Sequence, residues 1–138
     1  MTTHARRLVR EIESLARQLT ASDEVAPATA SQKVALTVVA NSGPLRLGAL
    51  ADEIGTTDAT ASRAVDALVA VGLVERLEDA ADRRAVRIAV TPAGRKLIDR
   101  RRAELAKAFQ RGLRDLPPDD RDRLVALLEQ LNAGLRES

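Results

Sequence analysis

Two short helical patterns meet at a glycine, and this juncture constrains the chain more than any other feature. From about Gly48 to Ile54, Leu50, Ala51 and Ile54 mark one apolar face, and Gly55 follows directly. A glycine there can take the left-handed backbone that stops a helix. Thr56-Thr57-Asp58 then opens a second helix. Thr57 supplies the side-chain oxygen of an N-cap, and Asp58 supplies an anion where the helix dipole favours one. Ala51 stands four residues before Gly55, so a small side chain falls where the two helices must cross closely. The second helix is predicted to run to about Val71, with Ala61, Val65 and Leu68 inward. Ala59, Thr60, Ser62, Arg63 and Asp66 fall outward, and Gly72 ends the helix.

What flanks this pair completes a pattern. Leu73–Leu77 and Arg84–Val90 read as strands, the second alternating through Val86, Ile88 and Val90. Between them Glu78-Asp79-Ala80-Ala81-Asp82-Arg83 reads as a polar or small hairpin tip. Thr91-Pro92 is a cap followed by proline at the first helical position, opening a long helix to about Arg114. Leu116-Pro117-Pro118 breaks it, and a last helix spans about Asp119–Leu135. Upstream, a helix is predicted over 4–21, a loop from Asp23 to Pro27, a helix from Ala28 to Asn41 and an extended piece Leu45-Arg46-Leu47. Two short helices joined by a tight turn and followed by a hairpin form a winged helix-turn-helix. The expected fold is therefore mainly α with a small β-wing. It is read as a single domain over 1–138, with the winged lobe at 28–91 and flanking helices at 4–21 and 92–135. Aromatics make up only 1% of residues, so the core must be aliphatic, which favours helix packed on helix.

Several functional classes are disfavoured. The absence of cysteine excludes disulfides, thiolate zinc sites and thiol redox sensing, and fits a reducing cytoplasm. The lone histidine, His4, lies near the N-terminus. With no Gly-rich phosphate loop, nucleophile elbow or metal spacing, the chain reads as neither an enzyme nor a cofactor or metal binder. The acid pairs Asp52-Glu53 and Asp119-Asp120 read as helix-terminus or surface charges. No apolar run approaches the ~18 residues of a membrane span, so a cytoplasmic protein with no membrane partner is expected. Net charge is only +2 and does not by itself announce nucleic acid. Bases nevertheless dominate 95–111, through Arg95, Lys96, Arg100, Arg101, Arg102, Lys107 and Arg111.

Three surfaces carry the candidate function. The short polar face of Thr60, Ser62 and Arg63 fits a major groove, where hydroxyls and one Arg reach base edges; a solvated helix face is the alternative. Arg83, Arg84 and Arg87 cluster on the hairpin beside Asp82, and a cation on a thin ribbon can enter a minor groove. Asp82 is expected to fix a neighbouring guanidinium, and the alternative is a hairpin tip that only keeps the edge soluble. Leu124, Leu127, Leu128, Leu131 and Leu135 share a helical face, and Leu8, Ile12, Leu15 and Leu19 form a matching stripe at the other end. These read as dimer core, with intramolecular core as the alternative.

Leu50-Ala51-Asp52-Glu53-Ile54-Gly55, Ser62 to Leu68, Gly72-Leu73-Val74-Glu75-Arg76, Asp82-Arg83-Arg84-Ala85-Val86 and Thr91-Pro92-Ala93-Gly94-Arg95 together resemble the MarR family of bacterial regulators. The resemblance runs in register from about Ser31 to Leu97. It implies a homodimeric regulator of transcription on pseudo-palindromic double-stranded DNA, and the chain is expected to be a repressor released by a small ligand. The helix from Thr57 to Val71 would read the major groove through Asp58, Thr60, Ser62 and Arg63, with Thr57 at its start. The wing arginine would be Arg84, then Arg83, with Arg87 nearby. Leu8, Ile12, Leu15, Leu124, Leu128 and Leu131 would form the dimer interface. The resemblance also implies a ligand between the DNA-binding lobe and the dimer helices. Arg10, Arg17 or Arg101 would pair with an anion, and Leu15, Leu19, Val38 and Leu105 would hold its apolar part. An aliphatic or weakly aromatic acid fits best; the rival is a constitutive binder regulated by abundance. Two positions depart from the family's habit: Asp58 stands where a basic or polar residue is common, and Ala61 where a larger aliphatic is common. Asp58 would repel phosphate but can accept from a cytosine amino group. The competing class is a winged-helix module that binds protein rather than DNA.

Overall fold

The computed structural model describes residues 3–21, 29–82 and 84–137. The predicted loop at Asp23–Pro27, the first residue of the predicted second helix, Ala28, and the wing candidate Arg83 lie outside them. In chain order the elements are α1 (Thr3–Ala21), α2 (Ala30–Ser42), β1 (Leu45–Arg46), α3 (Leu47–Ile54), α4 (Asp58–Ala70), β2 (Val74–Glu78), β3 (Val86–Val90), α5 (Pro92–Leu113) and α6 (Pro118–Arg136).

Local chemistry accounts for the boundaries. The Thr29 hydroxyl caps α2 by accepting from the Gln32 amide at 3.2 Å. Thr57 does the same for α4, accepting from the Thr60 amide at 3.2 Å. Leu47, expected to be extended, is instead the first residue of α3. Arg46 is the N-cap of that helix by backbone conformation, without a side-chain cap bond. Arg84 and Ala85 precede β3 rather than beginning it, so the hairpin tip extends further than its polar composition implied.

The described strands form one antiparallel sheet in the order β1-β3-β2. Leu45 pairs with Ile88 and Arg46 with Arg87, while Val74 to Glu78 pair with Val90 to Val86. The sheet and α2, α3 and α4 enclose an aliphatic core of Leu36, Val39, Leu50, Val65, Leu68, Val74 and Ile88, joined by Ile98 of α5. The alternation of β3 thus places Ile88 inward, as period-2 patterning requires.

The chain divides into two compact units, Met1–Arg100 and Arg101–Ser138. The winged lobe lies within the first unit. The second holds the distal part of α5 and all of α6, which buries none of its residues within the chain. Among the described residues, no helix is long and apolar enough to cross a membrane.

Candidate nucleic-acid interface

The turn between α3 and α4 is built as its residues dictate. Gly55 adopts φ +68° and ψ 40°, the left-handed region. The Thr56 amide donates to the Ala51 carbonyl at 3.0 Å, closing the turn over a residue too small to hold the helices apart. Ala61, Ala64, Val65 and Leu68 are buried and pin α4 from beneath.

Its opposite face is polar and internally bonded. The Thr57 hydroxyl donates to Thr60 Oγ1 at 3.1 Å, and Arg63 Nη2 donates to the same oxygen at 3.3 Å. Thr57, Asp58 and Arg63 are exposed, whereas Thr60 and Ser62 are half-buried. Asp66, one turn further on, pairs with Arg76 of β2 and ties the outer side of α4 to the sheet. Of the residues singled out at the start of α4, Thr57, Thr60 and Arg63 thus form one bonded group.

The wing rests on two aspartates. Asp82 Oδ1 accepts from the Arg84 amide at 3.0 Å, so it folds the backbone rather than holding a guanidinium among the described residues. A short carboxylate reaches the amide two residues on by closing the backbone into an Asx-turn. Arg84 is exposed beyond it. Asp79, expected in a solvated tip, is instead the buried polar residue of the described chain, only 3% exposed. Its Oδ1 accepts from the Ala81 amide at 2.9 Å. Its Oδ2 accepts from Arg46 Nε and Nη2 at 3.0 and 2.8 Å, and from Arg87 Nε at 3.1 Å. The Ala81 amide and then the two guanidiniums hold the Asp79 carboxyl well below the usual carboxylate range, outweighing burial. Arg87, selected as a DNA contact, therefore spends its Nε on Asp79, and its Nη1 donates to the Pro44 carbonyl at 3.5 Å. Sequence reasoning passed over both Arg46 and Asp79. The available signal was weak: an Asp in a hairpin tip often bonds its own backbone two residues on.

The other selected residues belong to other elements. Leu8, Ile12 and Leu15 of α1 and Leu124 and Leu128 of α6 are exposed, and Leu131 is half-buried. Arg10, Arg17 and Leu19 lie on α1, and Val38 packs against the core of the first unit. Arg101 and Leu105 belong to the second unit. Among the described residues no group of three or more His, Asp or Glu is placed to hold a metal.

The MarR family model matches residues 28–86, the span that builds α2 to the wing. An HTH-type transcriptional regulator of Mycobacterium bovis is 30% identical over 123 residues, covering 84% of this chain and 86% of its own. A MarR family protein from Bacillus stearothermophilus shares the fold at a TM-score of 0.76 and 21% identity, over 96% of this chain and 90% of the other. The PcaV transcriptional regulator from Streptomyces coelicolor, solved in complex with its natural ligand, has a TM-score of 0.66 at 21% identity, covering 95% and 93%. A left-handed glycine turn, a polar-faced second helix and a three-stranded wing coincide with these matches: the chain belongs to the MarR family of helix-turn-helix transcriptional regulators, which are not enzymes.

Proposed function

We propose that this regulator works as a cytoplasmic homodimer on pseudo-palindromic double-stranded DNA, as a repressor that a small ligand releases. The observation that carries the DNA-binding reading is the outer face of α4, where Arg63, Thr60 and Thr57 form one bonded, solvent-facing group on a helix pinned from beneath. Arg63 offers the fork that reads guanine, and Asp58 an acceptor for a cytosine amino group. Arg84, and Arg83 beside it, serve the minor groove. Ser62 and Thr60 supply hydroxyls at the groove surface, and Arg87 supports the wing.

Dimerisation through α1 and α6 is supported by their uncovered aliphatic side chains, Leu8, Ile12, Leu15, Leu124 and Leu128. Two-fold symmetry then sets two reading helices about one DNA turn, roughly 34 Å, apart. Ligand release is supported by the ligand-bound state of the fold relative PcaV. For this chain the proposed ligand is an aliphatic or weakly aromatic acid. A ligand acts only if it prefers the arrangement that cannot bind DNA.

The test is a fluorescence-anisotropy titration on a duplex that the wild-type protein selects from a random-sequence pool. Affinity is expected to fall linearly with salt on logarithmic axes, as phosphate contacts release counterions. Arg63→Ala is expected to cost about 1–3 kcal/mol on the selected duplex and to relax its sequence choice. If no duplex is enriched, the DNA-binding reading is abandoned in favour of a protein-binding winged helix.

A further inference from the structure

β2 and β3, which carry the wing, pair with each other over five residues, but their link to β1 is short. β1 is only two residues long, so its pairing with β3 rests on Leu45–Ile88 and Arg46–Arg87 alone. The second of these pairs places two guanidiniums directly opposite one another. Like charges in that register repel and would open the edge of the sheet.

Asp79 resolves this. It lies at the end of β2, on the far side of β3 from β1, and its buried carboxylate collects Arg46 and Arg87 together. One anion thus links all three strands: its own position follows β2, Arg87 belongs to β3 and Arg46 to β1. Arg46 immediately precedes Leu47, the first residue of α3, so the same contact reaches the start of the helix-turn-helix. Through Oδ1 the carboxylate also holds the Ala81 amide, and the Asp79 amide donates to the Ala85 carbonyl at 3.1 Å. The tip that carries Arg84 is closed by the same residue that fastens its base.

We propose that Asp79 is a positioning residue for DNA binding: by drawing Arg46 and Arg87 onto one buried carboxylate, it holds the wing tip, and with it Arg84, in the orientation that meets the duplex. This inference rests on the DNA-binding reading above and adds to it a residue that touches no DNA. An exposed ion pair contributes little, because water screens both partners. Asp79 differs in being buried and in joining segments distant in sequence, so loss of its carboxylate leaves two facing cations and takes the acceptor from the Ala81 amide. A wing ordered before binding spares the complex the entropy of ordering it.

A double-mutant cycle tests the proposal with the duplex selected by the wild-type protein, at a salt concentration where every variant binds measurably. Asp79→Ala is expected to weaken binding about tenfold in the otherwise wild-type chain. In an Arg84→Ala background the same change is expected to cost less than about twofold, because there is no guanidinium left to aim. A residue that merely stabilised the lobe would give equal losses in both backgrounds. Arg46→Gln, which removes one exposed guanidinium and leaves Asp79 bonded to Arg87 and Ala81, is run in parallel. It is expected to show the same non-additivity at about threefold, and it decides the matter should Asp79→Ala fail to fold. Additive losses in the cycle, or unchanged affinity for both variants, overturn the proposal while leaving DNA binding intact. A wild-type protein that enriches no duplex overturns both.

Discussion

At the scale of single residues, two positions carry consequences out of proportion to their size. Gly94 packs against the turn that follows α4: a Cβ there would lie 2.1 Å from the Leu73 carbonyl oxygen. The approach is close because Thr91 holds both sides. Its hydroxyl donates to the Gly72 carbonyl at 2.6 Å and accepts from the Gly94 amide at 3.1 Å. Gly94→Ala must push α5 away from that turn, and overpacking of this kind costs about 1–3 kcal/mol. The drop is expected in the urea midpoint at unchanged slope. Asp79 gives a second prediction, in pH. Its carboxyl titrates lower in the folded chain than in the unfolded one, so the unfolded state takes up its proton first as acid is added. The contribution is whole above about pH 3.9, the ordinary Asp value, and fades as pH falls toward the folded value. The stability difference between wild type and Asp79→Asn is expected to be constant near neutrality and to narrow below about pH 4. Denaturant titrations across that range check this, and a gap that widens in acid contradicts it.

At the scale of elements, the α5–α6 turn shows how a helix end is satisfied without a conventional cap. Pro117 is the N-cap of α6 and makes no side-chain cap bond. The carbonyls left behind by α5 are taken from the other direction by Arg121. Its Nε donates to the Leu113 and Leu116 carbonyls, each at 3.0 Å, and its Nη2 to that of Arg114 at 3.4 Å. A cation at a helix C-terminus also complements the dipole. Arg121→Ala is expected to destabilise the turn by about 1.5–3 kcal/mol, the range for hydrogen bonds to charged groups. Arg121→Lys should restore little of this, because a single ammonium lacks the planar fork. Thermal unfolding of the two variants separates them, and full rescue by lysine would show that charge alone sufficed. The prolines that break the helix were visible in the sequence; the role of Arg121 was not, since an arginine in a charged helix looks like any solvated one.

At the scale of the whole molecule, the uncovered apolar faces govern what is expected in solution. Leu124, Leu127 and Leu128 on α6 are 40%, 55% and 43% exposed, and Leu8, Ile12 and Leu15 on α1 are each 42% exposed. Contiguous apolar surface of this kind marks an interaction site. On the proposed homodimer, Leu128→Glu places a carboxylate in the seam at a cost of at least about 2 kcal/mol. Analytical ultracentrifugation at micromolar protein is expected to find a wild-type dimer and a variant shifted to monomer. A wild-type monomer would remove the dimer proposal.

The elements of this fold were legible because they are written locally. Thr57 caps α4 through a bond to Thr60, Gly55 turns the backbone where it stands, and Thr91-Pro92 opens α5 where that pair occurs. Each needs only neighbours within a helical turn, so periodicity and capping chemistry alone determined them. The surface of α4 was legible for the same reason, since helical spacing decides which residues share a face. The sheet and its clasp were not. β1 joins β3 across some forty residues of sequence, and nothing in Leu45-Arg46 names Ile88-Arg87 as its partner. Asp79 read as a solvated tip residue because its burial comes from Arg46, on a strand that local pattern could not place beside it. Tertiary structure decided that contact, since a buried charge persists only where partners brought from elsewhere in the chain satisfy it.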